Sequence, residues 1–388
     1  MIYLDHNATT PVRPEVLAAM YPYFSQHMGN PSSVHAAGRA SRKGLDEARR
    51  HVAHLLEVHY SQVIFTSGGT EANNLAIFGV AGKKNPNSHP GHVVYSAIEH
   101  PSVGQCCALL KERGLEVTCV GVDSLGRVNP LEVQAALRPE TILVCVMQAN
   151  NETGVIQPIK QIAMVCKEAG IPLLVDTVQS VGKIPVNFME LGASMISVSA
   201  HKIGGPKGVG ALILDKHLAL NPLHIGGGHE RGRRSGTENV PGIVGFGHAA
   251  QLIQDELSVE SARLLQLRIR LESTLKAFFP ELIIFGEETS RLPNTTALGI
   301  PGLDGEAMVM NLDLAGFAVS AGSACSSGKL TPSHVLHAMG VTDELARSCI
   351  RISLGWNTTA TDIDAVIEAI RQTIYRLRCL ASPVALAV

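Results

Sequence analysis

The sequence predicts an α/β fold: a mostly parallel sheet covered by helices on both faces, followed by a smaller α+β unit. Three observations carry this. Short apolar, β-branched runs bounded by turn residues recur along the first half of the chain, and helical stretches alternate with them. After the run V-G-A-L-I-L at 209–214 the alternation stops, and a glycine-rich loop and a long Leu-, Arg- and Glu-rich segment follow.

Taken in order, the strands fall at 63–66, 92–95, 116–122, 141–147, 173–175 and 195–199, with 209–214 closing the series. Near-continuous apolar runs of this length suit strands buried on both faces. Between them, 101–112 (with V-G-Q-C-C-A-L-L) and 159–169 (with I-A-M-V-C-K-E-A) read as helices. The glycine loop spans 226–236, a helical stretch begins near Val240, and 258–279 carries apolar residues at a spacing near 3.6, an amphipathic helix leading into the second unit. That unit has strands near 282–285, 296–300 and 351–354 and a closing helix over 361–380. The expected division is a large domain over 15–255, and a small domain formed by 1–14 with 256–388 that carries a loop at 321–332.

The 388 residues hold 32 Lys plus Arg against 34 Asp plus Glu, a formal charge of -2, which offers no electrostatic case for nucleic acid or an anionic membrane. Aromatic residues at 4% are too few for a base-stacking platform. The opening M-I-Y-L-D-H-N has no basic segment followed by an apolar one, and no run of about 18 apolar residues occurs, so a cytoplasmic location is expected. The eight cysteines include no C-x-x-C pair, which argues against a zinc ribbon, a ferredoxin-type cluster and a thioredoxin motif. Most should be small buried hydrophobes, as in V-T-C-V and L-V-C-V.

Ligands of open α/β sheets bind beyond the carboxyl ends of the strands, and the residues there are unusually polar. The first strand runs into T-S-G-G-T-E-A-N-N, where Gly69 and Thr70 open a helix whose free N–H groups suit a phosphate; a plain helix cap by Thr70 fits equally. The strand at 173–175 ends in Asp176 and Gln179, and a carboxylate buried there needs a cation or several donors. The strand at 195–199 runs into Ala200, His201 and Lys202 before I-G-G-P-K-G, so Lys202 is either a desolvated amine fit for imine formation or a surface lysine. Together they specify a ligand with a phosphate, a ring cation and an aldehyde, which describes pyridoxal 5'-phosphate (PLP).

At this point the sequence resembles the fold-type I PLP enzymes of the class V aminotransferase family, and among them the group I cysteine desulfurases. The resemblance rests on Y-L-D-H-N-A-T-T-P (3–11), G-N-P-S-S-V-H (29–35), G-G-T-E-A-N-N (68–74), E-H-P-S-V (99–103), N-N-E-T-G (150–154), D-T-V-Q (176–179), S-A-H-K (199–202), R-R-S-G-T-E-N (233–239), S-A-G-S-A-C (320–325) and R-I-S-L-G (351–355). It implies a seven-stranded type of sheet in the large domain. It further implies that Lys202 holds PLP as an imine, that Asp176 pairs with the pyridinium nitrogen, and that Gln179 bonds the ring hydroxyl. His100 stacks on the ring as an acid or base, Gly69, Thr70, Ser199 and His201 hold the phosphate, and Asn151 and Ala200 also contact the cofactor. Thr237 reaches the cofactor of a neighbouring subunit, making a homodimer the working unit. Arg351, assisted by Asn151, clamps the substrate carboxylate, a task whose bidentate geometry lysine lacks.

Cys325 lies in A-G-S-A-C-S-S-G-K-L (321–330), a run of small residues that reads as an exposed loop. The implied reaction converts L-cysteine to L-alanine with a persulfide on Cys325, for transfer to an iron–sulfur scaffold or other acceptor protein; a transient cluster on Cys325 shared with such a partner is a further expectation. The longer cysteine loop favours cysteine over selenocysteine as substrate. The rivals are a selenocysteine lyase or aminotransferase of the same fold, which does not need Cys325, and a non-enzymatic iron or thiol carrier. The histidine pairs 51/54 and 334/337 lack a third ligand and read as solvated or capping groups, and Arg233-Arg234 as ordering the glycine loop.

Overall fold

The computed structural model describes residues 1–82, 91–321 and 333–381. Cys325, nearly all of the 321–332 loop and the segment S-P-V-A-L-A-V at 382–388 therefore lie outside the described residues. The strands are β1 (Ile2–Tyr3), β2 (Val63–Thr66), β3 (His92–Ser96), β4 (Glu116–Val120), β5 (Thr141–Cys145), β6 (Leu173–Asp176), β7 (Met195–Ser199), β8 (Gly210–Leu214), β9 (Ile283–Ile284), β10 (Thr295–Gly299), β11 (Phe317–Ala318), β12 (Ser320–Ala321) and β13 (Ile350–Ser353). The sequence-predicted strands at 63–66 and 195–199 coincide with β2 and β7, and the others shift by one or two residues at an end.

Seven strands form the main sheet in the order β2-β8-β7-β6-β5-β3-β4. All neighbours are parallel except β8, which runs antiparallel to both β2 and β7. Because β8 is reversed against both, β2 points the same way as β3, β5, β6 and β7, and the chain leaves all five at one edge. Every residue of β2, β6, β7 and β8 is buried, as expected of strands covered on both faces. One face packs on the helices Ala36–Leu55 and Ile159–Glu168 and the first turns of Val240–Phe278. The other packs on Gly69–Ala81 and Pro101–Glu112. Each fully buried Val, Ile or Leu here contributes about 1.5–3 kcal/mol of transfer free energy.

A second core gathers Leu4 with Leu298, Ile350 and Ile352 of a four-stranded antiparallel sheet (β12-β13-β10-β9) and with Ile363–Ile374 of the helix Ala360–Ala381. The first residues reach it directly: β1 pairs in parallel with β11, and Asp5 bridges to Ser353. The two helical segments expected near Val240 and over 258–279 are one continuous 39-residue helix, Val240–Phe278. Its start, as far as Ile253, is buried in the main core, and its end, from Leu264 through Leu267 and Leu271 to Leu275, in the second. A smaller cluster places Ile98 and Met147, just beyond β3 and β5, against Phe285, Val335 and Leu336, so the two units meet beside the strand ends.

One expectation about the cysteines needs correction. Cys106, Cys107, Cys145, Cys166 and Cys349 are buried, but Cys119 of V-T-C-V is exposed, because β4 is an edge strand paired only with β3. Cys379 is exposed as well. Burial pushes the Cys106 thiol up to about 11 and, with nearby Glu99, that of Cys107 up to about 12, so neither is a ready thiolate.

Candidate active site

The common edge of β2, β3, β5, β6 and β7 opens into a cavity of about 240 Å³, a volume suited to one small molecule. Its wall is built from the residues that follow each strand: Gly69, Thr70 and Asn73; His100 and Ser102; Met147 and Asn151; Asp176, Val178 and Gln179; Ser199, His201 and Lys202; with Ala8 contributed by the first segment. Of the site residues expected from the sequence, Gly69, Thr70, His100, Asn151, Asp176, Gln179, Ser199, His201 and Lys202 are thus brought together around one cavity. Ala200 is fully buried just behind it.

The helix Gly69–Ala81 starts from Gly68 at φ 157°, a backbone state that favours glycine. Its hydrogen-bond ladder begins with Ala72 N–H donating to the Gly68 carbonyl, 3.1 Å, which leaves the N–H groups of Gly69, Thr70 and Glu71 outside the ladder at a positive helix end. A Cβ on Gly69 would lie 2.7 Å from Val178 Cγ2, so only glycine fits there without displacing the cavity wall. The Ser199 hydroxyl, on the same side, is buried without a hydrogen-bond partner among the described residues. Buried polar groups are seldom left unpaired, so Ser199 Oγ points to a polar ligand.

Asp176 is buried and accepts from Asn73 Nδ2 at 2.8 Å and from the Val178 N–H at 2.9 Å. Those donors satisfy part of the carboxylate while it still lines the cavity. Asn73 Nδ2 also donates to Ser102 Oγ, 2.9 Å, tying the helix Gly69–Ala81 to the start of Pro101–Glu112. His100 caps the latter helix: its Nδ1 accepts from the Ser102 N–H at 3.1 Å, leaving the rest of the ring at the cavity. Desolvation, with Lys202 and His334 adding to it against Asp176, holds the imidazole below its ordinary range and favours the neutral ring.

Lys202 Nζ donates to the carbonyl oxygens of Asn7 and, at 2.8 Å, Ala8. Burial and then the Arg351 charge outweigh Asp5 and Asp176, and the amine is pushed down to about 8. A lysine in that range holds an appreciable neutral, nucleophilic fraction near neutrality. His201, burdened by burial and by the charges of Lys202, Lys207 and Lys183, is pushed down to about 4 and stays neutral, with Nδ1 3.1 Å from Thr9 Oγ1.

Arg351 is not in the cavity wall. Its guanidinium donates to Asp5 Oδ1 at 2.7 Å and to the Asn151 carbonyl at 3.1 Å, and Asn151 is in the wall. A guanidinium whose side chain is 4% exposed needs a counter-charge, and Asp5 supplies it. Thr237 is exposed and lies outside the cavity wall. Arg234 grips both oxygens of Glu71 at 2.8 and 3.2 Å, ordering the glycine loop against the start of the helix Gly69–Ala81. His334 Nε2 bonds the Glu99 carbonyl at 3.0 Å, and among the described residues no three His, Cys, Asp or Glu side chains form a metal-sized group. Sequence reasoning about single residues missed Asn7, Asn73, Ser102 and Asp5, although all four sit inside the quoted motifs at 3–11, 68–74 and 99–103.

The family description "Aminotransferase class-V" matches residues 2–366. The chain belongs to the class-V aminotransferase family. Among curated members, it is 43% identical to "Cysteine desulfurase IscS" of Dictyoglomus turgidum over 98% of this chain and 96% of that one. It is 45% identical to "Cysteine desulfurase" of Nostoc sp., covering 98% and 94%. Among solved structures, a "NifS-like protein" superposes with a TM-score of 0.90 at 36% identity, covering 97% of this chain and 100% of that one. "SspA in complex with cysteine" superposes with a TM-score of 0.81 at 33% identity, covering 91% and 99%. The family is PLP-dependent, and the cavity fits that group: an amine of lowered basicity, a buried carboxylate, unused helix N–H groups, an orphaned serine hydroxyl, and a glycine where a Cβ would collide.

Proposed function

We propose that this chain is a cysteine desulfurase, converting L-cysteine to L-alanine and leaving the sulfur as a persulfide on Cys325. The observation that carries the reading is Lys202, an amine pushed down to about 8 that shares one cavity with a hydrogen-bonded Asp176 and an orphaned Ser199 hydroxyl. Full-length similarity to curated cysteine desulfurases supports the choice of substrate.

Asp176, with its charge held in place by Asn73, would pair with the ring nitrogen of the cofactor; the N–H groups of Gly69 and Thr70, Ser199 Oγ and His201 would hold its phosphate, and Gln179 would bond its ring oxygen. Bound PLP supplies an electron sink for the substrate α-carbon. Lys202 Nζ moves the proton at that carbon. Arg351 takes the substrate carboxylate by exchanging its contact with Asp5 for a second, equivalent carboxylate. Cys325, as thiolate, attacks the substrate sulfur; the S–S bond forms as the substrate C–S bond breaks, and the carbon left with the electron pair takes a proton, so no external oxidant is consumed. Neutral His100 is placed at the cavity to give or take the protons of this exchange.

The working unit is a homodimer in which Thr237 serves the partner's cofactor, and the persulfide is passed in the cytoplasm to an iron–sulfur scaffold or another acceptor protein, where Cys325 can share a transient cluster. The test is to give L-cysteine to the purified, PLP-loaded chain and measure alanine, sulfide released by a thiol reductant, and the mass of the Cys325 peptide. Stoichiometric alanine and a gain of one sulfur atom on that peptide are expected; alanine without added sulfur there removes Cys325 from the reaction.

A further inference from the structure

Behind the cavity wall lies a lysine that the proposed reaction leaves unused. Lys183 is buried, and its Nζ donates to the Gln179 backbone carbonyl at 3.0 Å and to Gln179 Oε1 at 3.1 Å. Gln179 Nε2 donates in turn to the Asn7 carbonyl at 3.0 Å, the oxygen that also accepts from Lys202 Nζ. A glutamine amide has one accepting and one donating end, and the two look alike in shape. Here the ends are distinguished by their neighbours: an ammonium only donates and a carbonyl only accepts. The NH₂ of Gln179 is therefore turned to Asn7, and Oε1 to Lys183. Burying an ammonium is costly, so a lysine placed under the wall with two hydrogen bonds to one glutamine calls for a task.

We propose that Lys183 is a positioning residue of this site: it locks the Gln179 amide so that its NH₂ faces the cavity side, where a ring oxygen of PLP needs a donor. It also lines a second cavity of about 40 Å³, with His6, Arg13 and Trp356. Burial also pushes the Lys183 amine down to about 7; the neutral form keeps two N–H bonds, enough for both contacts to Gln179. Removing the lysine leaves the Gln179 side-chain amide held by the Asn7 carbonyl alone, on one hydrogen bond instead of two, so that its NH₂ is less firmly aimed.

The inference rests on the reading of the cavity as a PLP site, and a mutant cycle separates the two. The readouts are the rate at which the full-length holoenzyme releases PLP on dilution and the position of its visible band. Lys183→Met is expected to speed release about 10-fold, the worth of one net hydrogen bond near the strong end, and to shift the band. In a Gln179→Met background the same change should speed release less than about 2-fold, because the residue through which Lys183 acts is gone. Lys183→Gln, which keeps an N–H donor towards Oε1, should stay within about 3-fold of the unsubstituted chain. Equal acceleration in both backgrounds, no acceleration by Lys183→Met, or about 10-fold acceleration by Lys183→Gln overturns the proposal and makes Lys183 a packing element or a bystander. If Lys183→Met does not fold, Lys183→Leu, which also removes the donor, is read against the same thresholds in both backgrounds. A chain that takes up no PLP at all overturns the reading of the cavity instead.

Discussion

Arg351 adds to burial in lowering the basicity of Lys202, and this effect can be separated by pH from the carboxylate binding proposed for it. At the ordinary lysine value of 10.5 the neutral amine at pH 7 is about one part in 3,000; pushed down to about 8, it is about one part in ten, a gain of about 300-fold in nucleophile. Burial causes most of that depression and the Arg351 charge is next, opposed by Asp5 and Asp176. Arg351→Met removes the cation and also unpairs Asp5, now a free anion near the amine, so both changes raise the Lys202 value while burial still holds it below 10.5. About 1.4 kcal/mol of lost repulsion corresponds to one pH unit. The assay mixes PLP with the PLP-free chain and follows the visible absorbance from pH 6 to pH 10. For the unsubstituted chain the uptake rate should climb about tenfold per unit and level off near pH 8. In Arg351→Met the levelling point should move up by about one unit, with uptake at pH 7 slower by about tenfold. An unchanged levelling point, or one moved down, refutes the claim that Arg351 tunes this lysine.

Lys202→Ala should abolish the visible band and alanine formation while leaving the folded chain intact, since among the described residues the side chain's hydrogen bonds go only to the Asn7 and Ala8 carbonyls; circular dichroism and absorbance check both halves. Cys325→Ser should keep the band yet form no persulfide from cysteine, and sulfide release at the unsubstituted rate contradicts the nucleophile role. Gly69→Val should weaken PLP retention at least tenfold by pushing on Val178, whose Cγ2 is 2.7 Å from even the first added carbon, a change read by dialysis of the holoenzyme. Glu230→Gln should cost about 3–5 kcal/mol in urea unfolding, because it leaves the buried Arg49 guanidinium, held at 2.6 and 2.7 Å, without its charge partner.

The main sheet was legible because buried parallel strands are written as unbroken apolar runs, and reading the residues after each run led directly to Asp176 and Lys202. The helix Val240–Phe278 was harder: between Ile253 and Leu264 it crosses from one core to the other, its apolar stripe lapses, and a single element reads as two. Asn7 and Asn73 left no chemical signature of their own, since an amide gains its role from what it meets, and Asn73 meets Asp176 103 positions along the chain. For Arg351 the family resemblance implies a substrate-carboxylate clamp; that the guanidinium holds the Asp5 carboxylate follows from the need to balance a buried charge, which no local pattern displays.

The pairing of the first residues with the last has a consequence for the order of events at the ribosome. Asn7 hydrogen-bonds Ser353 and Asp5 meets Arg351, each across 346 positions of sequence, while the Asn7 carbonyl is the anchor for Lys202 and Gln179. The strands of the main sheet can collapse as they emerge, and Thr10 and Arg13 can already bond the His201 and Gly204 carbonyls, but the segment carrying Asn7 is held on its other side only once β11 and β13 have been synthesised. Full fixing of the cofactor lysine is thereby expected late in translation: a truncated nascent chain has both the lysine and the Asn7 carbonyl that aims it, but not the Ser353 hydroxyl that pins the residue carrying that carbonyl.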